Sequence, residues 1–274
     1  MTIEQLKKQG SDCLRAADIA EADLDAAYLL EYVLHIDRMT FLLDREKEVS
    51  LEDANRYMEQ IEIRAKHIPL QHITGEQEFM GYSFKVNEHV LIPRQDTEVL
   101  VEQVAKLADG KRVLDVCTGS GCIILSLDKL CNLTKAVGVD LSTEALKVAR
   151  ENGNRLAGSV EWIESDLFDK VTGKYDIIVS NPPYIETKVI EGLMEEVREH
   201  EPYMALDGGA DGLDFYRSIV EKSVEYLNDG GYLCFEIGYN QGEEVKTLME
   251  NAGFRDCQVI KDLAGLNRVV MGHL

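Results

Sequence analysis

No run in this chain approaches 18 consecutive apolar residues, which excludes a hydrophobic membrane-spanning helix. The opening Met1-Thr2-Ile3-Glu4-Gln5 lacks the charged-then-apolar layout of a secretory leader, so a cytoplasmic protein is expected. The six cysteines form no C-x-x-C pair and have no histidine at metal-ligand spacing. The six histidines form no H-x-H or H-E-x-x-H, and no metal site is expected. The cysteines are read as reduced and structural, several of them behaving as small hydrophobes. Positive charge is also scarce: 29 Lys and Arg stand against 50 Asp and Glu, a net charge of −21, with no basic stripe interleaved with aromatics. A protein that grips a duplex normally neutralises phosphates with such a stripe, so direct nucleic-acid binding is disfavoured. Acidity of this size suits solubility or a basic partner. There are no internal repeats and no low-complexity segments. With 274 residues, 45% hydrophobic and 29% charged, the chain is of globular composition and long enough for one large or two ordinary domains.

Two textures divide it. In the first 72 residues Ala26, Leu29, Leu30, Val33 and Leu34 share one helical face, as do Leu51, Ala54, Met58, Ile61 and Ala65. Asp23 and Ser50 read as N-caps and Pro69 as the stop of the last helix, giving a small helical bundle. Residues 73–95 form a linker, with Phe79, Tyr82, Phe84, Val86 and Val90 around Met80-Gly81 suggesting a hairpin. From 96 to 274 strand and helix alternate. Strands are expected over 112–116, 136–139, 160–163, 177–180 and 232–237, with helices over 143–154, 213–227 and 243–251. This is an α/β, Rossmann-like pattern: a mostly parallel sheet covered on both faces. Residues 258–260 and 268–271 leave no room for a helix between them and are expected to pair antiparallel at the edge.

Two motifs carry chemistry. The first expected sheet strand ends in Asp115-Val116, and Cys117-Thr118-Gly119-Ser120-Gly121 then opens a helix. A glycine-rich turn there lets a ligand touch backbone, and Asp140, at the end of the next strand, is placed to accept ribose hydroxyls. A nucleoside-containing ligand follows. A dinucleotide fingerprint would need a third glycine at position 124, which is Ile124, so a nicotinamide dehydrogenase is disfavoured. The second motif is Asn181-Pro182-Pro183-Tyr184, directly after an apolar strand. Two prolines cannot extend a ladder, so this corner turns out of the sheet and offers the Asn181 side chain, the Pro182 carbonyl and an aromatic ring. These are acceptors for a planar NH2 group and a face on which its plane can stack. Holding such a group fixed would aim its delocalised lone pair at an electrophile. The alternatives for the corner are an ordinary surface turn, or a chain that binds its ligand without turnover.

The glycine-rich segment resembles the first motif of class I S-adenosylmethionine methyltransferases, with Cys117 where that motif has its first glycine. The resemblance implies S-adenosylmethionine as cofactor, held by Asp115, Cys117, Thr118, Gly119, Ser120, Gly121, Asp140 and Asn181, with Asp166 and Leu167 as the adenine wall. Much of the chain is similar to one branch, the glutamine methyltransferases of peptide-chain release factors. The similarity runs through Leu70-Gln71-His72-Ile73-Thr74-Gly75, Ile92-Pro93-Arg94-Gln95-Asp96-Thr97-Glu98, Asn181-Pro182-Pro183-Tyr184-Ile185, Glu201-Pro202-Tyr203, Gly208-Gly209-Ala210-Asp211-Gly212 and Glu236-Ile237-Gly238-Tyr239-Asn240-Gln241-Gly242. Gln95 stands where that family is expected to carry proline. The resemblance implies methylation of the glutamine amide in the Gly-Gly-Gln tripeptide of class 1 release factors. Asn181, Pro182 and Tyr184 would be catalytic, Pro183 would help bind substrate, and the helical bundle would dock the factor. Transfer to an exocyclic amine of a nucleic-acid base is the alternative that the same corner allows. A monomer is expected. The Glu-rich run from 191 to 201 is read as a solvated face in preference to a gate.

Overall fold

The computed structural model describes residues 1–274 as two compact units, one formed by 1–75 with 194–200 and the other by 76–193 with 201–274.

The first unit packs α1 (Ile3–Ala16), α2 (Ala22–Leu34), α3 (Arg38–Leu43), α4 (Leu51–Arg64) and the short α5 (Leu70–Thr74) around Leu6, Leu14, Leu29, Leu30, Tyr57 and Ile61. Ser50 caps α4 as expected, its oxygen accepting from the Asp53 amide at 3.1 Å. Asp23 is not a cap. The second helix starts one residue before it, at Ala22, and Asp23 pairs with Arg15 at 2.5 Å. Pro69 does not stop a helix either: α4 ends at Arg64, and Pro69 precedes α5, where its missing N–H costs nothing. Arg64 is buried between Asp25 at 2.8 Å and Glu196 at 2.7 Å. Its charge needs that compensation, which draws α10 (Glu195–His200), far away in sequence, into this unit.

In the second unit, β1 (Glu76–Phe79) and β2 (Tyr82–Lys85) form the expected hairpin. Its turn residues, Met80 and Gly81, both have positive φ. The large sheet has the order β5-β4-β3-β6-β7-β9-β8. Its parallel members are β3 (Arg112–Val116), β4 (Lys135–Asp140), β5 (Val160–Glu164), β6 (Tyr175–Ser180) and β7 (Leu227–Glu236). The last two, β8 (Arg255–Lys261) and β9 (Asn267–His273), pair antiparallel as expected, but β9 inserts between β7 and β8. Successive residues face opposite layers. Val113, Ile177 and Val179 pack with α6 (Gln95–Ala108) and α7 (Cys122–Leu130), while Leu114, Val116 and Ile178 pack with α11 (Asp214–Tyr226) and α12 (Gly242–Asn251). The remaining helices of this unit are α8 (Thr143–Arg155) and the single turn α9 (Thr187–Ile190). Chain order reverses direction between β3 and β6, which opens a crevice at their carboxyl ends.

Trp162, the chain's single tryptophan, wedges against β4. A Cβ on Gly138 would lie 2.5 Å from its ring and 3.0 Å from the Thr118 hydroxyl. Gly138→Ala is therefore expected to destabilise the protein by roughly 1–3 kcal/mol and to shift the tryptophan emission. Denaturant unfolding followed by fluorescence tests this, and an unchanged midpoint and spectrum would contradict the packing described.

Candidate active site

A cavity of about 400 Å³ lies in the second unit, over the carboxyl ends of β3, β4 and β6. It is built on one register: Val116 of β3 stands beside Ser180 of β6, and the Ser180 hydroxyl donates to the Val116 carbonyl at 2.6 Å. The residues that follow these two strands, Cys117 and Asn181, therefore enter the same space, and both line it.

On the β3 side the chain turns through Cys117, with φ of 62°, and Gly119, with φ of 55°. A left-handed residue at 117 explains why glycine suits that place, and cysteine adopts it under some strain. Nothing stands within 4 Å of a Cβ built on Gly119, so its backbone is open to a ligand. Asp140 closes the turn, Oδ2 accepting from the Gly119 amide and Oδ1 from the Ser142 amide, each at 2.8 Å. Each oxygen keeps a further lone pair for a ribose hydroxyl. Burial raises the Asp140 pKa and these amides oppose the shift. Thr118, Ser120, Asp166 and Leu167 also line the cavity, Leu167 with a positive φ of 44° and Asp166 exposed. A glycine-exposed backbone, an acceptor pair and an apolar wall fit a nucleoside.

Two of the expected cofactor residues act from behind. Gly121 caps α7 and packs on Trp162 without lining the cavity. Asp115 is fully buried under the loop, where Oδ2 accepts from the Thr118 hydroxyl at 2.5 Å and Oδ1 has no partner. Burial pushes its pKa up to about 7. Cys122 lines the cavity, and burial raises its thiol to about 12.

On the β6 side Asn181 and Pro183 line the cavity. Pro182 is buried and its carbonyl takes part in no backbone hydrogen bond. Tyr184 does not line the cavity: it is half-buried, with its hydroxyl 3.3 Å from Glu236 Oε1. Its backbone is locked from three sides. Gln241 Nε2 donates to the Tyr184 carbonyl at 2.9 Å, and a Cβ on Gly208 or Gly212 would come within 2.7 Å or 2.4 Å of that backbone. These glycines are thus contacts of the corner as well as turns.

Several participants stand in the family-like segments without a role assigned to them from the sequence. Thr97, on α6, lines the cavity, and its Oγ1 accepts from Asn181 Nδ2 at 3.5 Å. Glu236 ends β7, fully buried; burial raises its pKa, while the nearby Thr97 hydroxyl, Arg268 and the Tyr184 hydroxyl favour its charged form. Arg94 grips Glu201 through both carboxylate oxygens, at 2.7 and 2.8 Å, and joins the Pro93-Arg94 wall to the Pro202-Tyr203-Met204 wall. The run from 191 to 201 is therefore not simply solvated, because the Glu201 side chain is 1% exposed. Gln95 is the exposed first residue of α6, a position where proline is pre-organised.

The Asp115 proton makes a prediction. The folded chain keeps it up to about pH 7, whereas the unfolded chain loses it near its ordinary value of 3.8. The folded state binds more protons in that interval, so this group's contribution to stability falls as pH rises from about 4 to 7 and is constant above. Asp115→Asn should stabilise the ligand-free protein at pH 8 relative to pH 5 by an amount of the order of a few kcal/mol. Denaturant unfolding of both proteins at both pH values checks this, and an equal difference at the two would contradict it.

Known proteins are similar to this chain. Residues 5–75 match the PrmC N-terminal domain and residues 94–200 the methyltransferase small domain. The release factor glutamine methyltransferase of Clostridium botulinum is 40% identical over 98% of both chains. That of Geobacter sulfurreducens is 43% identical over 93% of this chain and 91% of its own. Among solved structures, a methyltransferase from Pyrococcus furiosus superposes with a TM-score of 0.56 at 18% identity, over 80% of this chain and 98% of its own, a likeness of fold. On the strength of these near full-length relatives, the chain belongs to the release factor glutamine methyltransferase family.

Proposed function

We propose that this chain methylates the side-chain amide nitrogen of the glutamine in the Gly-Gly-Gln tripeptide of class 1 release factors. The observation that carries the site assignment is the β3–β6 register, which puts Asn181 and the nucleoside-fitting turn at Cys117 and Gly119 on one cavity. Asp140 would hold the ribose, Cys117 to Ser120 the backbone side of the cofactor, and Asp166 with Leu167 the adenine, while Asp115 and Gly121 shape the loop beneath. When bound, S-adenosylmethionine supplies an electrophilic methyl on a sulfonium.

An amide nitrogen is a poor nucleophile because its lone pair is shared with the carbonyl. The Asn181 Oδ1 and the Pro182 carbonyl would each accept one proton of the substrate NH2, which fixes the nitrogen and orients its lone pair. With the cofactor bound, its sulfonium would supply the methyl and leave as the neutral thioether, and the amide proton would pass to water while Asn181 and the Pro182 carbonyl hold the nitrogen in place. Tyr184, expected from the resemblance to cover the amide plane, lies outside the cavity walls and, held by Glu236 and Gln241, would brace the corner from behind. A carboxamide is favoured over a nucleic-acid base because a chain of net charge −21 has little to offer a phosphate backbone. The same charge suits a basic protein surface, and the N-terminal unit is read as a docking element for the factor. No helix is long and apolar enough to cross a membrane. The proposed setting is the cytoplasm, with the chain acting as a monomer.

Labelled S-adenosylmethionine incubated with a release factor should label the wild-type factor and not one whose tripeptide glutamine is replaced; equal label on both would overturn the acceptor. Asn181→Ala should lower transfer by about a thousandfold while cofactor affinity changes less than about threefold. Full activity in that variant would overturn the assignment of the corner.

A further inference from the structure

The two ends of an asparagine amide have the same shape and opposite chemistry. If Asn181 presents Oδ1 to the substrate, it accepts a proton of the substrate NH2; turned over, it opposes that NH2 with its own. Asn181 has its Nδ2 3.5 Å from Thr97 Oγ1. A hydroxyl can serve either end of an amide, as acceptor for the NH2 or donor to the oxygen, so this contact selects an orientation only if something fixes the Thr97 proton.

Glu236 lies where it can do so. The residue is 2% exposed, and Thr97 is equally buried. Its Oε1 is paired with the Tyr184 hydroxyl at 3.3 Å, while its Oε2 is shut off from solvent with no donor at bonding geometry. Burial raises the Glu236 pKa, while the Thr97 hydroxyl, Arg268 and the Tyr184 hydroxyl beside it favour its charged form. In that form the carboxylate accepts only, and a buried oxygen without a donor is costly, so the Thr97 proton is drawn to it. Arg268, 3.0 Å from Asp96 and 3.1 Å from Asp262, supplies positive charge nearby.

We propose that Thr97 is a positioning residue that sets the amide orientation of Asn181, its proton directed to Glu236 and its oxygen thereby left to accept from Asn181 Nδ2. Glu236 then orients both working residues of the corner, Tyr184 directly and Asn181 through Thr97. Three chain segments distant in sequence, the first turn of α6, the end of β7 and the corner after β6, meet for this purpose. The inference rests on the reading of Asn181 as acceptor of the substrate amide.

The test uses the full chain and an intact release factor, with Thr97→Val, Thr97→Ala, Thr97→Ser and Asn181→Ala in parallel. Thr97→Val keeps the shape and removes the hydroxyl. It is expected to lower kcat about tenfold to a hundredfold, with KM for the factor and Kd for the cofactor within about twofold of the parent. Thr97→Ser should recover kcat to within about threefold. Thr97→Ala removes the same hydroxyl without a new methyl and should match Thr97→Val, which guards against a packing fault in the latter. Parental kcat in both hydroxyl-free variants, with Asn181→Ala inactive, would overturn the role of Thr97 and leave the corner's assignment standing. Serine as poor as valine, with cofactor affinity lost in both, would mark Thr97 as structural and also overturn it. An active Asn181→Ala would remove the premise and the inference together.

Discussion

Ser180 donating to the Val116 carbonyl is the contact on which the site depends. Parallel strands end in step only if their register is fixed, and a slip of one residue would turn every side chain of β6 to the other layer. With Val116 beside Ser180, the turn from β3 and the corner from β6 share one cavity. The sheet supplies rigidity, and the reversal of strand order between β3 and β6 supplies the opening. The hydroxyl occupies the last residue of β6, one residue short of two prolines, beyond which the ladder can no longer hold the strand ends together.

Around that register each half of the site is held by groups that leave the ligand-facing atoms free. Asp140 spends one lone pair of each oxygen on backbone amides, and Asp115 holds Thr118 from beneath. Asn152, fully buried, accepts from the Lys85 amide and donates to the Ser120 carbonyl, tying the hairpin to the cofactor turn. On the other side Gln241 and two glycines lock the Tyr184 backbone, and Glu236 meets its hydroxyl. A weak nucleophile suits such a design. The residues that would touch the amide carry no unusual reactivity, so the rate must come from orientation, which buried neighbours provide.

Local chemistry was legible in the sequence and long-range pairing was not. Asn181-Pro182-Pro183-Tyr184 announces itself because two prolines after an apolar strand have few other uses, and Met80-Gly81 because a two-residue turn between aromatics has one common geometry. The glycine-rich turn with Asp115 and Asp140 likewise follows from local spacing. Thr97, Arg94 and Glu236 stand in segments that resemble the family, but local spacing assigns no role to a threonine in a first helical turn or to a glutamate at a strand end. Their roles arise from contacts across 84, 107 and 52 positions respectively. Arg64 shows the same limit, since the burial that pairs it with Glu196 across 132 positions draws α10 into the helical unit. The helix boundaries misread at Asp23 and Pro69 have a different origin, because capping chemistry alone places a start or stop within a residue or more.

The most direct measurement is a crystal structure of the chain with S-adenosylhomocysteine and a Gly-Gly-Gln peptide. The account predicts the glutamine NH2 within hydrogen-bonding distance of both Asn181 Oδ1 and the Pro182 carbonyl, its nitrogen facing the cofactor sulfur, with the ribose on Asp140. A glutamine bound elsewhere, or a cofactor seated away from the Cys117 to Ser120 turn, would contradict it.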